Sequence, residues 1–255
     1  MIFSEAAVEE MQLAVLEAGQ SHHRIRESFV RRQFANPESR EHADHGFSRR
    51  VGTLLRCLER VFEILPPDRE DVPSRDETMD ASVCIQAFLM NVFGCCENLA
   101  WIWVLERGVT GAGGKPLSRY AVGLGPGCTV VRSSFSDAFR AYLDSRTEWF
   151  EFLKDFRDAL AHRIPLYIPP FMVPEKDAAK YEELGKAVWA AALAGDVEGS
   201  RELDRQQDAL GVFQPMMKHT LTDRRPPIVF HPQLVVDFRT IIELADEFLA
   251  ELDRP

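Results

Sequence analysis

The stretch "SVCIQAFLMNVFGCCENLAWIWVLERG", residues 82–108, leaves this chain the fewest choices. It carries hydrophobic side chains on almost every face of a helix, and such a helix is stable in water only when other elements surround it. A helix over about 76–107 is therefore expected at the centre of a bundle, with Asn91, Glu97 and Asn98 as polar intruders that require partners. No uninterrupted apolar run approaches eighteen residues, so no membrane span is expected.

Helical periodicity governs most of the remainder, and strand-like alternation is scarce. A long helix is expected over 4–34, with Ser4 as its N-cap. A second, over 47–65, has Val51, Leu54, Leu55, Leu58, Val61, Phe62 and Leu65 in one stripe before the breaker Pro66-Pro67. The segment 108–133 is glycine-rich and reads as a long surface loop. Its "GAGGKP" has the wrong glycine spacing for a phosphate loop and a proline where magnesium would need Ser or Thr. A further helix opens at Ser134, with Asp137 as its capping partner, and must end by Ile164 because Pro165 cannot continue it. "IPLYIPPFMVP" is extended and packs on the bundle; 175–210 is a helical hairpin broken at Gly195; "RRPPIVFHP" is extended and leads into a last helix over 232–253. The expected fold is all-α, a single domain over 1–255: a bundle of four to five long helices with a small helical insertion, 171–231, before the last one and an N-terminal helical extension over 1–43.

The 255 residues carry a net charge of −10, which argues against a nucleic-acid partner when taken as an average. The distribution is uneven, because residues 21–56 hold eight arginines and four histidines against four acids. That segment is either a solvated helix face or a phosphate-facing strip; in the second case Arg31 and Arg32 are candidate RNA contacts. The five cysteines include no CxxC pair and no zinc spacing, and are expected to be reduced in a cytoplasmic protein. The first nineteen residues are acidic and helical, unlike an export signal. His22-His23 and the pair His42 and His45 lack metal-ligand spacing, so neither a metal nor a cofactor is expected.

The chemistry-bearing cluster lies in "FRDALAHRIPLYIPP", residues 156–170. Phe152, Phe156 and Leu160 mark the buried face; Lys154, Asp158 and His162 share a neighbouring one, so Asp158 is spaced to accept a hydrogen bond from the His162 ring. Arg157 is five residues from His162, about 140° round the axis, so one helix does not readily aim both at a small group. Two helices related by a dimer axis do.

An arginine, a polar residue, three more residues and a histidine near the end of a bundle helix resemble the R-x4–6-H motif of HEPN domains, Arg157 to His162 matching its shortest form. The resemblance covers the motif over 156–163 and, as architecture, about 44–164 and the last helix; the following "RIPLYIPP" is similar to a bacterial HEPN-like subgroup. It implies a four-helix core and a metal-independent endoribonuclease, of the kind found as toxins and phage-defence effectors, with a composite site at a homodimer interface. Where the family often has Asn after the arginine, this chain has Asp158, which leaves the site less positive. His162 is then the catalytic acid or base, Arg157 the phosphate clamp, Asp158 its orienting partner, and Arg163 a second phosphate contact or simply a cation at a helix C-terminus. The expected partners are RNA, a second copy and an antitoxin or regulatory protein. Two readings stand beside this one. The family also includes inert modules that bind RNA, a nucleotide or a protein, and Arg157, Asp158 and His162 could serve only as surface ion pairs and a helix cap.

Overall fold

The computed structural model describes residues 2–219 and 227–254. The fold is all-α apart from one two-stranded ribbon: α1 Glu5–Arg31, α2 Pro37–Glu41, a π-helical turn His42–Phe47, α3 Ser48–Ile64, α4 Arg75–Arg107, α5 Thr129–Ser133, α6 Asp137–Ser145, α7 Thr147–His162, α8 Ala178–Leu193, α9 Val197–Asp208, β1 Met216–Met217, β2 Ile228–Val229 and α10 Phe230–Leu252.

α4 lies at the centre, with α3, α7 and α10 packed around it, and α1 lies across α3 and α10. Its ends are fixed by local chemistry. Ser74 and Glu77 form a reciprocal capping box, Arg69 clamps Glu77 at 2.7 Å, and Gly108 closes the helix at φ 61°, a conformation in which a side chain would be strained. Although α4 holds an 18-residue window apolar enough to cross a membrane, 67% of that window is buried inside the fold. α1 begins at the expected Ser4 cap, whose hydroxyl accepts the Ala7 N–H.

Several boundaries differ from the expectation. The helix expected over 134–164 is two, because the backbone leaves helical geometry at Arg146 (φ −106°, ψ 12°). Arg146 is held there by Glu243 at 2.7 Å and by its stacking on Tyr142. The cap of α6 is Ser136 rather than Ser134; the carboxylate of Glu251 takes the N–H and the hydroxyl of Ser136, whereas Ser134 accepts the indole N–H of Trp103. The glycine-rich segment is an exposed loop only in its first half. Val122, Leu124 and Val131 are buried, and Arg132 beneath them ties the Leu124 carbonyl to Asp144. The last helix begins at Phe230, with Pro232 in its first turn, where no amide donor is missed.

α10 carries two buried ionisable groups. His231 is fully buried among Phe62, Phe3 and Phe230, and its Nε2 donates to the Leu65 carbonyl at 2.6 Å; burial pushes its pKa down to about 4. Asp237 receives the Trp149 indole N–H and the Gln233 amide on one oxygen, its other oxygen is without a partner among the described residues, and burial raises its pKa to about 6.

The 171–231 segment holds the expected hairpin: α8 and α9 pack on each other, turning at Gly195 (φ 78°), and neither has a buried residue. A bridge between Tyr167 and Lys218 ties it to the chain leaving α7, while the bridge between Met172 and Val212 and the pairing of β1 with β2 close the segment on itself. Leu166 and Ile168 are buried, so the proline-rich exit packs on the bundle as its sequence suggests. Arg224 and Arg225 of "RRPPIVFHP" lie outside the described residues.

Candidate functional site

α7 is positioned by Phe150, Leu153, Phe156 and Ala159, which bury one face against α4. Its last turn has a defined exit. His219 donates from Nδ1 to the Ile164 carbonyl at 3.0 Å while its ring lies on Phe156, and Gln86 of α4 holds the Leu166 carbonyl.

Arg157 and His162 do not converge within one chain. The Arg157 guanidinium lies over the Phe93 ring, 4.4 Å from its centroid, and donates two hydrogen bonds to the adjacent Asp158. Asp158 is thus turned to Arg157, not to His162 as the i, i+4 spacing suggested; a permanent forked cation one residue away is the stronger partner. His162 is exposed at the C-terminal end of α7 and makes no hydrogen bond with the described residues. Arg163 folds back to the carbonyl and carboxylate of Asp155, 2.9 and 2.5 Å away, so it completes the helix end rather than projecting. Of the two arginines singled out at the end of α1, Arg31, its last residue, pairs with Glu27, and Arg32, just beyond it, with Asp253 at 2.8 Å.

Arg157 instead borders a cavity of about 410 Å³ between α4, α7 and the second half of the glycine-rich segment, with Phe93, Glu97, Tyr120, Cys128 and Phe150 among its walls. That volume is in the range of small-molecule sites. Burial raises the pKa of Glu97, opposed first by Arg157 and then by Arg50. Gly123 admits the Cys128 sulfur into this wall; a Cβ there would stand 2.8 Å from Sγ.

The other two polar residues of α4 do not reach α7. Arg50 of α3 donates to Asn98 and Asn91, both at 3.0 Å, and Asn98 donates to Nδ1 of His42, whose ring stacks on Trp101. The guanidinium passes directly over Gly94, where a Cβ would lie 2.5 Å from it, and Asn98 sits as closely over Gly46. Arg50 is therefore a structural cation and leaves the basic strip. The π-helical turn carries His42 into this network, and no periodicity in the sequence marks it. The signal that was present is the glycine in each of two otherwise regular helical stretches.

Beside the end of α7 runs an exposed apolar strip. Met79, Val83 and Met90 of α4 are exposed, and Val83, Ala87, Met90, Leu160 and Ala161 line a shallow groove of about 340 Å³ next to His162 in the chain. All five cysteines are unbridged; burial raises the pKa of Cys57 to about 11 and of the others above their ordinary value. Among the described residues no three His, Cys, Asp or Glu side chains gather as metal ligands do. Compared with known proteins, the chain matches no family model, no curated protein and no solved structure.

Proposed function

We propose that this chain is a metal-independent endoribonuclease of HEPN type whose active site is completed between two copies. The observation that carries the reading is the setting of His162: an exposed imidazole without a hydrogen-bond partner among the described residues, at a helix end beside an apolar strip on α4 and α7. An apolar strip next to unpaired polar groups is what a shared interface uses. Pairing two such faces about a two-fold axis brings each His162 toward the partner's α7, which overcomes the 140° that separates it from Arg157 on its own helix.

In this scheme the ribose 2′-hydroxyl attacks the adjacent phosphorus. His162 takes the hydroxyl proton or delivers one to the leaving 5′-oxygen, and Arg157 balances the charge of the phosphorane. Asp158 and Phe93 hold the guanidinium while RNA is absent, and Asp158 offsets part of its charge. The test is cleavage of RNA in EDTA by the wild type and by His162→Ala, with both folds checked by circular dichroism. Cleavage that survives chelation and disappears in the variant is the expected result; a folded wild type that cleaves none of several RNAs overturns the reading.

The cavity beside Arg157 favours a second reading, in which the protein is an inert HEPN-like module that binds a small molecule such as a nucleotide. Glu97 and Arg157 offer it an acceptor and a forked donor, and Phe93, Tyr120 and Phe150 offer apolar walls. Nucleotide binding by a protein that does not cleave RNA would favour this reading.

A further inference from the structure

Six of the eight arginines between residues 21 and 56 are already engaged: Arg24 with Asp246, Arg31 with Glu27, Arg32 with Asp253, Arg40 with Asp44, Arg56 with Glu59, and Arg50 with Asn91 and Asn98. The remaining two, Arg26 and Arg49, are exposed and form no ion pair among the described residues. Both line one groove of about 480 Å³ between α1, the π-helical turn and α3, together with His22, Asp44, His45 and Ser48.

Three buried polar atoms of these lining residues have no hydrogen-bond partner among the described residues: Nδ1 of His22, Oγ of Ser48 and Oδ1 of Asp44. Buried polar atoms are ordinarily satisfied, so three unsatisfied ones behind one groove leave its wall polar and unused by the chain's own groups. The charged groups that line the groove say what it would take: two permanent cations beside two imidazoles suit a phosphate oxyanion. Arg40 balances the Asp44 carboxylate, whose second oxygen is enclosed.

We propose that this groove binds a phosphate of a ribonucleotide chain, with Arg26 and Arg49 on the phosphate. It would act as an anchor for RNA separate from Arg157 and His162. The proposal takes the identity of the chain from the ribonuclease reading, but the phosphate site stands on the groove alone.

The experiment uses the full chain with His162→Ala, so that bound RNA persists, and follows the anisotropy of a labelled oligouridine and its deoxy counterpart. Arg26→Gln with Arg49→Gln is expected to weaken RNA binding at least 10-fold and flatten its salt dependence, whereas Arg31→Gln with Arg32→Gln, whose cations are already paired, changes it less than 2-fold. The deoxy strand presents the same phosphates and is expected to lose affinity in the same double variant; a deoxy strand whose binding is untouched by it overturns the phosphate contact. Inorganic phosphate is titrated separately against the wild type, with the His22 and His45 ring resonances read by NMR. Saturable shifts that vanish in the Arg26, Arg49 double variant support the site even if the protein cleaves no RNA, which would retire the nuclease reading alone. No shift at tens of millimolar phosphate, or shifts that persist in the double variant, overturn the site.

Discussion

Replacing Asp237 with asparagine is expected to make the stability of this protein sensitive to mild acid. Two buried groups on α10 currently oppose each other. His231 has its pKa lowered from 6.5 to about 4 in the folded chain, so between these values the unfolded state binds the extra proton and stability falls as pH falls. Asp237 has its pKa raised from 3.8 to about 6, so the folded state holds the extra proton in that window and stability rises as pH falls. Each shift is worth about 3 kcal/mol at 1.36 kcal/mol per unit, and the two nearly cancel between pH 4 and 6. Asparagine keeps the acceptor for Trp149 and Gln233 but titrates nowhere in this range. Its unpaired amide costs about 1–3 kcal/mol at every pH, so the informative quantity is a slope. Urea unfolding of the wild type and Asp237→Asn at intervals from pH 4 to 7.5 should show the variant's stability, relative to wild type, falling by about 2.5 kcal/mol from the top of the range to the bottom. Parallel profiles would refute the reasoning, since they would mean that Asp237 is not protonated by its burial.

Other substitutions test other parts of the molecule. Gly94→Ala should drive Arg50 off Asn91 and Asn98 and destabilise by about 1–3 kcal/mol, while in an Arg50→Met background the same change should become neutral or stabilising; chemical denaturation of the four proteins measures the coupling. Mixing Arg157→Ala chains with His162→Ala chains should restore about a quarter of wild-type cleavage, because half of the dimers are mixed and each of those has one intact site; no recovery would count against sharing between copies. Trp189→Ser, at a side chain that is 72% exposed on α8, should shift the unfolding midpoint by the equivalent of less than about 0.5 kcal/mol.

The parts of the fold that the sequence discloses are those fixed by local pattern. The core stripe of α3 ends at Pro66, α4 is apolar all round and sits in the middle, and Ser4 caps α1. What it does not disclose depends on distant partners. Ser134 and Ser136 are equally good caps by composition, and only Glu251, 115 residues away from Ser136, decides between them. The engagement of Arg32 by Asp253 and of Arg24 by Asp246 is equally invisible in a linear charge count, which is why the basic segment looks freer in the sequence than in the fold. The i, i+4 spacing of Asp158 and His162 placed them on one face correctly, yet spacing does not rank partners, and the neighbouring guanidinium took the carboxylate. Asp237 could have been noticed from its place among Val235, Val236 and Phe238, but its indole partner on another helix could not.

α2, the π-helical turn and α3 form one unbroken rod over 37–64, and the wide turn in it is geometrically equivalent to one inserted residue. That insertion changes the phase of the rod, so residues before it are rotated by about 100° from where a regular helix would carry them. Removing a single residue from 42–47 would therefore restore an ordinary helix while swinging His42 away from Trp101 and Asn98. A one-residue indel would act here as a rotary setting, with helix content unchanged and the Arg50 network taken apart.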